Sequence, residues 1–170
     1  MKRFTFRAAV CGVMSAISLI AYTLENLLPP LIIPGARLGF SNIFILLTAL
    51  LVGGAYGYAA LAVKTLIGSI IIGNFSAVLY SLPAGIIALT LELTAILYFR
   101  NVGIIAASVL GSVINITVQN AVFCLVTKTT EYFIYSPYLA LIGTFTGAIV
   151  GLIVHITLKK IPYGFLGLNQ

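Results

Sequence analysis

Six long apolar stretches make up nearly the whole chain, and very few charged residues interrupt them. Of the 170 residues, 61% are hydrophobic and only 7% are charged, whereas about a quarter of residues are charged in a soluble protein. A helix that spans a bilayer needs about 20 apolar residues, and backbone that leaves water must satisfy its own hydrogen bonds. The pattern therefore predicts an all-α integral membrane protein.

The whole chain, residues 1–170, is predicted to form one transmembrane domain, a six-helix bundle with both termini in the cytoplasm. We expect the helices near residues 8–28, 39–53, 55–73, 76–99, 102–127 and 137–158. Lys2, Arg3 and Arg7 precede the first helix as in a signal peptide. No polar mature domain follows, so we expect this helix to be retained.

The Lys and Arg residues lie at the ends of the apolar stretches and predict the orientation of the bundle. With both termini inside, the cytoplasmic set is Lys2, Arg3, Arg7, Arg100, Lys159 and Lys160, and the outer set is Arg37 and Lys128. This bias indicates a multi-pass protein of the cell membrane, in contact with the lipid bilayer. The net charge of +6 does not indicate a nucleic acid partner, because the basic residues form no face with interleaved aromatic side chains.

Acidic residues are too few for the common catalytic and metal sites. The chain has no Asp, and its acids are Glu25, Glu92 and Glu131. A hard divalent cation requires several oxygen ligands, and no Ser, His and acid set lies at one depth for nucleophilic catalysis. Cys11 and Cys124 lie toward opposite faces, too far apart for a disulfide. We predict that the protein is not an enzyme and has no catalytic residue, metal site or cofactor.

Two amides on the fifth helix are the sharpest local feature. Gly103, Ala107 and Gly111 form a small-residue stripe that continues on the same face into Asn115 and Gln119. An amide in hydrocarbon needs a partner, which is either another helix or a ligand. Both interpretations stay open for each amide, and we expect a ligand because further polar residues converge on the same region.

Those further residues lie at the outer ends of other helices. Glu25 ends the first helix and Asn74 ends the third. The segment 29–35 contains three prolines and a Pro-Gly pair, so it cannot continue a helix. We expect it to form a rigid cap that brings Arg37 to a pocket; a loop anchored in lipid headgroups is the alternative. The predicted substrate-binding residues are Asn115, Gln119, Arg37, Asn74, Glu25 and Tyr80.

Lys64 and Glu92 are charged residues inside apolar helices. Both are predicted to lie roughly 10 to 14 Å from the cytoplasmic ends of their helices, so they can form an intramembrane ion pair. A structural pair is one interpretation, and a proton or ion relay is the other.

Small residues at intervals of four allow helix backbones to approach closely in lipid. Gly143, Gly147 and Gly151 form one such stripe on the last helix, which we expect to be a packing seam. Another stripe, Ala8, Gly12 and Ala16, lies on the cytoplasmic half of the first helix. We predict that it docks a partner.

A longer motif resembles a known family. Residues 34–43 read Pro-Gly-Ala-Arg-Leu-Gly-Phe-Ser-Asn-Ile. This resembles the signature PGxKLGxxNI of the small bacterial Gx transporter family, also labelled heptaprenyl diphosphate synthase component I. Further matches follow in the same order along the chain: Lys64 to Gly68 with Gly73, Tyr80 to Gly85, Ser108 to Val113 leading to Gln119, and Gly143 with Gly147. The family typically has His-Asn where this chain has Asn115-Ile116, so its ligand can differ.

That family in turn resembles the substrate-binding S components of energy-coupling factor transporters. The resemblance implies a six-helix fold and a small-molecule substrate, such as a vitamin, bound near the outer face under the loop after the first helix. It also implies that the first helix docks a membrane coupling subunit with ATPases. The chain has no Walker motif, so its energy would come from those partners.

Two alternative functions remain. The family label suggests a non-catalytic membrane subunit associated with heptaprenyl diphosphate synthase, or a protein that handles prenyl or quinone-like molecules. A small secondary carrier that moves protons through Lys64 and Glu92 is the second alternative, although the sequence shows no convincing inverted repeat.

Overall fold

The computed structural model describes residues 2–27, 39–99 and 102–161. Within these ranges the chain forms six α-helices and one 3₁₀ helix. They are α1 (Lys2–Leu27), α2 (Ser41–Val52), α3 (Gly54–Ile72), α4 (Ser76–Tyr98), α5 (Ile104–Thr127), the 3₁₀ helix (Thr130–Tyr135) and α6 (Ser136–Lys160). The expected all-helical architecture is confirmed, and each predicted segment contains one α-helix.

The helices alternate in direction through the bundle. Gly57 at the beginning of α3 packs against Ala49 near the end of α2, and Gly147 of α6 packs against Val109 near the beginning of α5. Helix α4 is antiparallel to α3, because Gly54 at the beginning of α3 packs against Leu93 near the end of α4, and Gly85 packs against Leu61. The beginning of α1 and the end of α6 therefore lie at one end of the bundle. We call this the basic end, because it holds Arg7, Lys159 and Lys160.

Five of the helices are long and apolar enough to cross a membrane, namely α1, α3, α4, α5 and α6. The chain is thus a multi-pass membrane protein. The predicted helix near 39–53 corresponds to α2, which has only 12 residues. At about 1.5 Å per residue it is roughly 18 Å long, against a hydrocarbon thickness of about 30 Å.

Other helices surround α2, so it does not have to span the hydrocarbon layer by itself. Nine of its 12 residues are buried, and a helix that is apolar all round belongs in a core. Its core partners are Leu61 of α3, Leu89 and Leu93 of α4, and Val150 and Val154 of α6. Gly53 alone joins α2 to α3, with φ 123° and ψ 153°, a conformation that side-chain-bearing residues rarely adopt. This tight corner holds α2 antiparallel to α3.

Glycines form the seam between α5 and α6, as the sequence predicts. A methyl group at Gly147 would lie 2.7 Å from Cα of Val109, and one at Gly151 would lie 2.7 Å from Cα of Ile105. A methyl group at Gly143 would lie 3.2 Å from Cα of Val113. The two backbones are therefore close over about two helical turns, and dispersion contacts at this distance stabilise helix pairs in lipid.

Candidate functional site

A polar cavity lies where the beginning of α2 meets α1, α3, α4 and α5. We call it the outer cavity because it lies toward the end of the bundle opposite the basic end. It is lined by Tyr22, Glu25, Gly39, Ser41, Asn42, Leu61, Lys64, Ser81, Gly85, Asn115 and Gln119. Its free space suffices only for a water-sized solute, so a larger ligand requires the lining elements to move.

The beginning of α2 lies inside the bundle rather than at its surface. Ser41 contacts Lys64, the eleventh residue of the 19-residue helix α3. The backbone N–H of Ser41 donates to Oε1 of Glu25 at 3.1 Å, and Ser18 donates its hydroxyl to the carbonyl of Ser41 at 2.8 Å. A helix N-terminus carries a partial positive charge, so a carboxylate is stabilised there. The chain thus places its own carboxylate on this terminus.

Lys64 lies beside the same helix terminus. Its Nζ donates to Oδ1 of Asn42 at 2.8 Å and to the hydroxyl of Ser41 at 3.4 Å, and it stands 5.7 Å from the ring centroid of Tyr22. The side chain is only 5% exposed. A buried cation surrounded by oxygen atoms and an aromatic face is well placed to hold an anion.

The two predicted amides of α5 both line the outer cavity. Gln119 is 9% exposed, and within the described part of the chain its Nε2 is buried without a hydrogen-bond acceptor. Such a donor is costly unless something accepts from it, and each unsatisfied group costs about 1 to 3 kcal/mol. Asn115 lies one turn away and faces both the outer cavity and a second one.

The second cavity, which we call the inner cavity, lies toward the basic end. Its polar lining consists of Asn42, Glu92, Ser112 and Asn115. Glu92 is 8% exposed and packs so closely on α5 that a methyl group at Gly111 would lie 2.8 Å from its Cδ. Asn42 and Asn115 line both cavities, so a polar track crosses the centre of the bundle.

Lys64 and Glu92 are brought to different cavities. Gly54 packs on Leu93 and Gly85 packs on Leu61, so the backbone at Glu92 lies level with the start of α3. Lys64 lies about nine residues further along α3, roughly 13 Å away. Their ion pair stays a prediction.

Two other residues that were predicted to bind substrate, Asn74 and Tyr80, are not among the residues that line the two cavities. Asn74 accepts from the N–H of Ala77 at 3.2 Å and from Ser76 at 2.7 Å, so it caps α4. Tyr80 is 9% exposed, and its ring packs edge-on against Phe123 at 5.7 Å. Arg37 and the proline-rich segment 29–35 lie outside the described residues.

The stripe of Ala8, Gly12 and Ala16 lies on the surface of α1. All three residues are exposed, and a methyl group at Gly12 would have nothing within 4 Å. The stripe is therefore not used for packing within the described bundle.

Sequence reasoning missed several lining residues, above all Ser41 and Asn42. Both stand inside the motif at residues 34–43, but their role depends on the short length of α2. One face of α1 is polar, and the sequence could have shown this, because polar residues recur there at helical spacing: Ser18, Tyr22 and Glu25.

Comparison with known families identifies the relatives of this chain. The sequence profile of the family described as heptaprenyl diphosphate synthase component I matches residues 14–157. The chain belongs to the heptaprenyl diphosphate synthase component I family. Comparisons with curated proteins and with solved structures give no match.

The family match includes every residue that lines the two cavities, and it ends within α6. It begins after Gly12, so most of the exposed stripe on α1 precedes it. The cavities thus belong to the portion that this chain shares with the family.

Proposed function

We propose that this protein is the solute-binding component of a membrane uptake system, and that the outer cavity is its binding site. The observation that carries the proposal is Nε2 of Gln119, which has no hydrogen-bond partner among the described residues and lies in a cavity that Lys64 and Asn115 also line. Intramembrane polar groups are retained where they serve a substrate or an ion. A vitamin-like or other small molecule with hydrogen-bond acceptors fits these donors.

The proposed topology has six membrane segments and both termini in the cytoplasm, with α2 as a half-length segment. The positively charged basic end then faces the cytoplasm, as the distribution of Lys and Arg favours. The outer cavity then lies toward the opposite side of the membrane. Substrate would enter when the neighbouring end of α1 moves.

The exposed stripe on α1 is proposed to be the surface to which a membrane coupling subunit binds. The ATPases of that subunit would supply the energy for uptake.

One substitution in this stripe tests the proposal. Replacing Gly12 with Leu should leave solute binding unchanged, because no atom of the described residues lies within 4 Å of a Cβ added at this exposed position. It should reduce co-purification of the coupling subunit at least tenfold, since a bulky residue prevents close helix approach. Quantitative pull-down of co-expressed subunits measures this, with Val13→Leu as the exposed control; full retention of the subunit by Gly12→Leu contradicts the docking role.

The family description favours a second candidate function, a non-catalytic membrane subunit that works with heptaprenyl diphosphate synthase. The chain has no Asp with which to bind a magnesium diphosphate, so catalysis would belong to a separate subunit. A carrier that moves protons through Lys64 and Glu92 is the remaining alternative.

An uptake experiment separates these functions. Mass spectrometry first identifies the solute that co-purifies with the protein in mild detergent. Cells that express the chain should then accumulate that solute only when a functional ATPase is co-expressed. Uptake that needs no ATPase and stops when the proton gradient is collapsed supports the carrier, whereas co-purification with a soluble prenyl synthase and no uptake supports the accessory subunit.

A further inference from the structure

The outer cavity has an unusual balance of donors and acceptors. The donors converging there are Nζ of Lys64, the N–H of Ser41 and Nε2 of Gln119. The acid in its lining is Glu25. A site with this composition stabilises a negative group, because a buried cation and a helix N-terminus both favour one.

Glu25 already occupies the place that such a group would take. Its Oε1 accepts from Ser41, the first residue of α2, at 3.1 Å. The residue stands two positions before the end of α1 at Leu27. A movement of this last helical turn would withdraw the carboxylate from the N–H of Ser41.

We propose that the solute carries an anionic group, a carboxylate or a phosphate, and that this group replaces the Glu25 carboxylate at the beginning of α2 beside Lys64. The inference rests on the proposed solute-binding function and names the class of its substrate. In the absence of solute, the Glu25 carboxylate takes the place of the ligand's anionic group. It then balances the positive charge of Lys64 and of the N-terminus of α2. Gln119, whose buried Nε2 finds no acceptor in the described ranges of the chain, donates to the bound group or to the atoms next to it.

The test removes the Glu25 carboxylate and supplies a free anion. Glu25→Ala leaves a space at the N–H of Ser41, and sodium acetate or inorganic phosphate is added to the purified full chain at constant ionic strength. The midpoint of thermal unfolding should rise by roughly 3 to 6 °C when the anion is about tenfold above its dissociation constant. The wild type should show no such rise, nor should Glu131→Ala, which removes an exposed acid outside both cavities. Adding Lys64→Gln to Glu25→Ala should abolish the rise.

Glu25→Gln keeps the size of the side chain and serves if Glu25→Ala does not fold; its rise should be smaller because the amide still fills the space. Absence of a rise in both variants overturns the proposal, and so does a co-purified solute with no acidic group. If either result is obtained but Gln119→Leu abolishes retention of the co-purified solute, the proposed solute binding stands, and only the proposal of an anionic solute is rejected. If the solute is retained by Gln119→Leu as well, the proposed function fails with it.

Discussion

Replacing Gly147 with alanine is expected to destabilise the protein by roughly 1 to 3 kcal/mol, and replacing it with leucine by more. The new Cβ would lie 2.7 Å from Cα of Val109 and 2.8 Å from the carbonyl oxygen of Ser108. Both are backbone atoms, so no rotation of a side chain relieves the overlap. Helices α5 and α6 must separate, and the close dispersion contacts along their seam are lost.

Thermal unfolding of detergent-solubilised protein measures this effect. A fluorescent protein fused to the chain reports the loss of the monodisperse chromatographic peak, which is useful because the chain contains no Trp. Gly12→Ala and Gly12→Leu are matched controls, since a Cβ added there has no atom of the described residues within 4 Å. Equal stability of the Gly147 and Gly12 variants would contradict the described seam.

Replacing Gln119 with leucine should abolish solute binding, and Asn115→Leu should do the same. Loss of a buried hydrogen bond of about 1 to 3 kcal/mol lowers affinity roughly 5- to 150-fold, and losing both amides lowers it further. The bundle should stay folded, because in the described part of the chain Nε2 of Gln119 has no acceptor to lose. Mass spectrometry of the retained solute, compared with wild type, measures the effect.

Asn120 supplies the control on the same helix. Its Nδ2 donates to Ser136 at 2.9 Å and to the carbonyl of Tyr132 at 3.2 Å, so it joins α5 to the start of α6. Asn120→Leu should lower stability and leave the solute bound. Retention of solute by Gln119→Leu, or its loss only in Asn120→Leu, would contradict the assignment of the outer cavity as the binding site.

Apolar length and periodicity predicted the helices well, since burial in lipid leaves little choice for a run of 20 apolar residues. The second helix was also predicted near its observed bounds. Its place in the core was not, because the packing of α1, α3, α4 and α6 around α2 is not visible in a hydropathy pattern.

The residues that line the outer cavity were partly predictable. Asn115, Gln119 and Glu25 stand out as polar residues in or beside apolar helices, and all three line the outer cavity. Asn74 has an equally polar side chain, but it caps a helix. Ser41 and Asn42 become important only because α2 begins inside the bundle. Composition identifies polar side chains, whereas their depth is decided by packing.

The position of Asn115 also bears on how this chain differs from its relatives. Asn115 stands where the resemblance described for the fifth helix implies a His, and it lines both the outer and the inner cavity. A neutral amide there donates and accepts hydrogen bonds but does not change charge near neutral pH, as a His can. We expect the solute affinity of this chain to vary less between pH 5 and 8 than that of a His-bearing relative.

The half-length helix α2 also constrains how the nascent chain matures. A 12-residue helix is too short to insert into the bilayer independently. It should therefore leave the translocon together with α3, to which Gly53 joins it. One side of the pair then faces acyl chains until Val150 and Val154 of α6 arrive, and these are synthesised last. Truncated products that end before α6 should therefore be degraded by membrane quality control instead of accumulating.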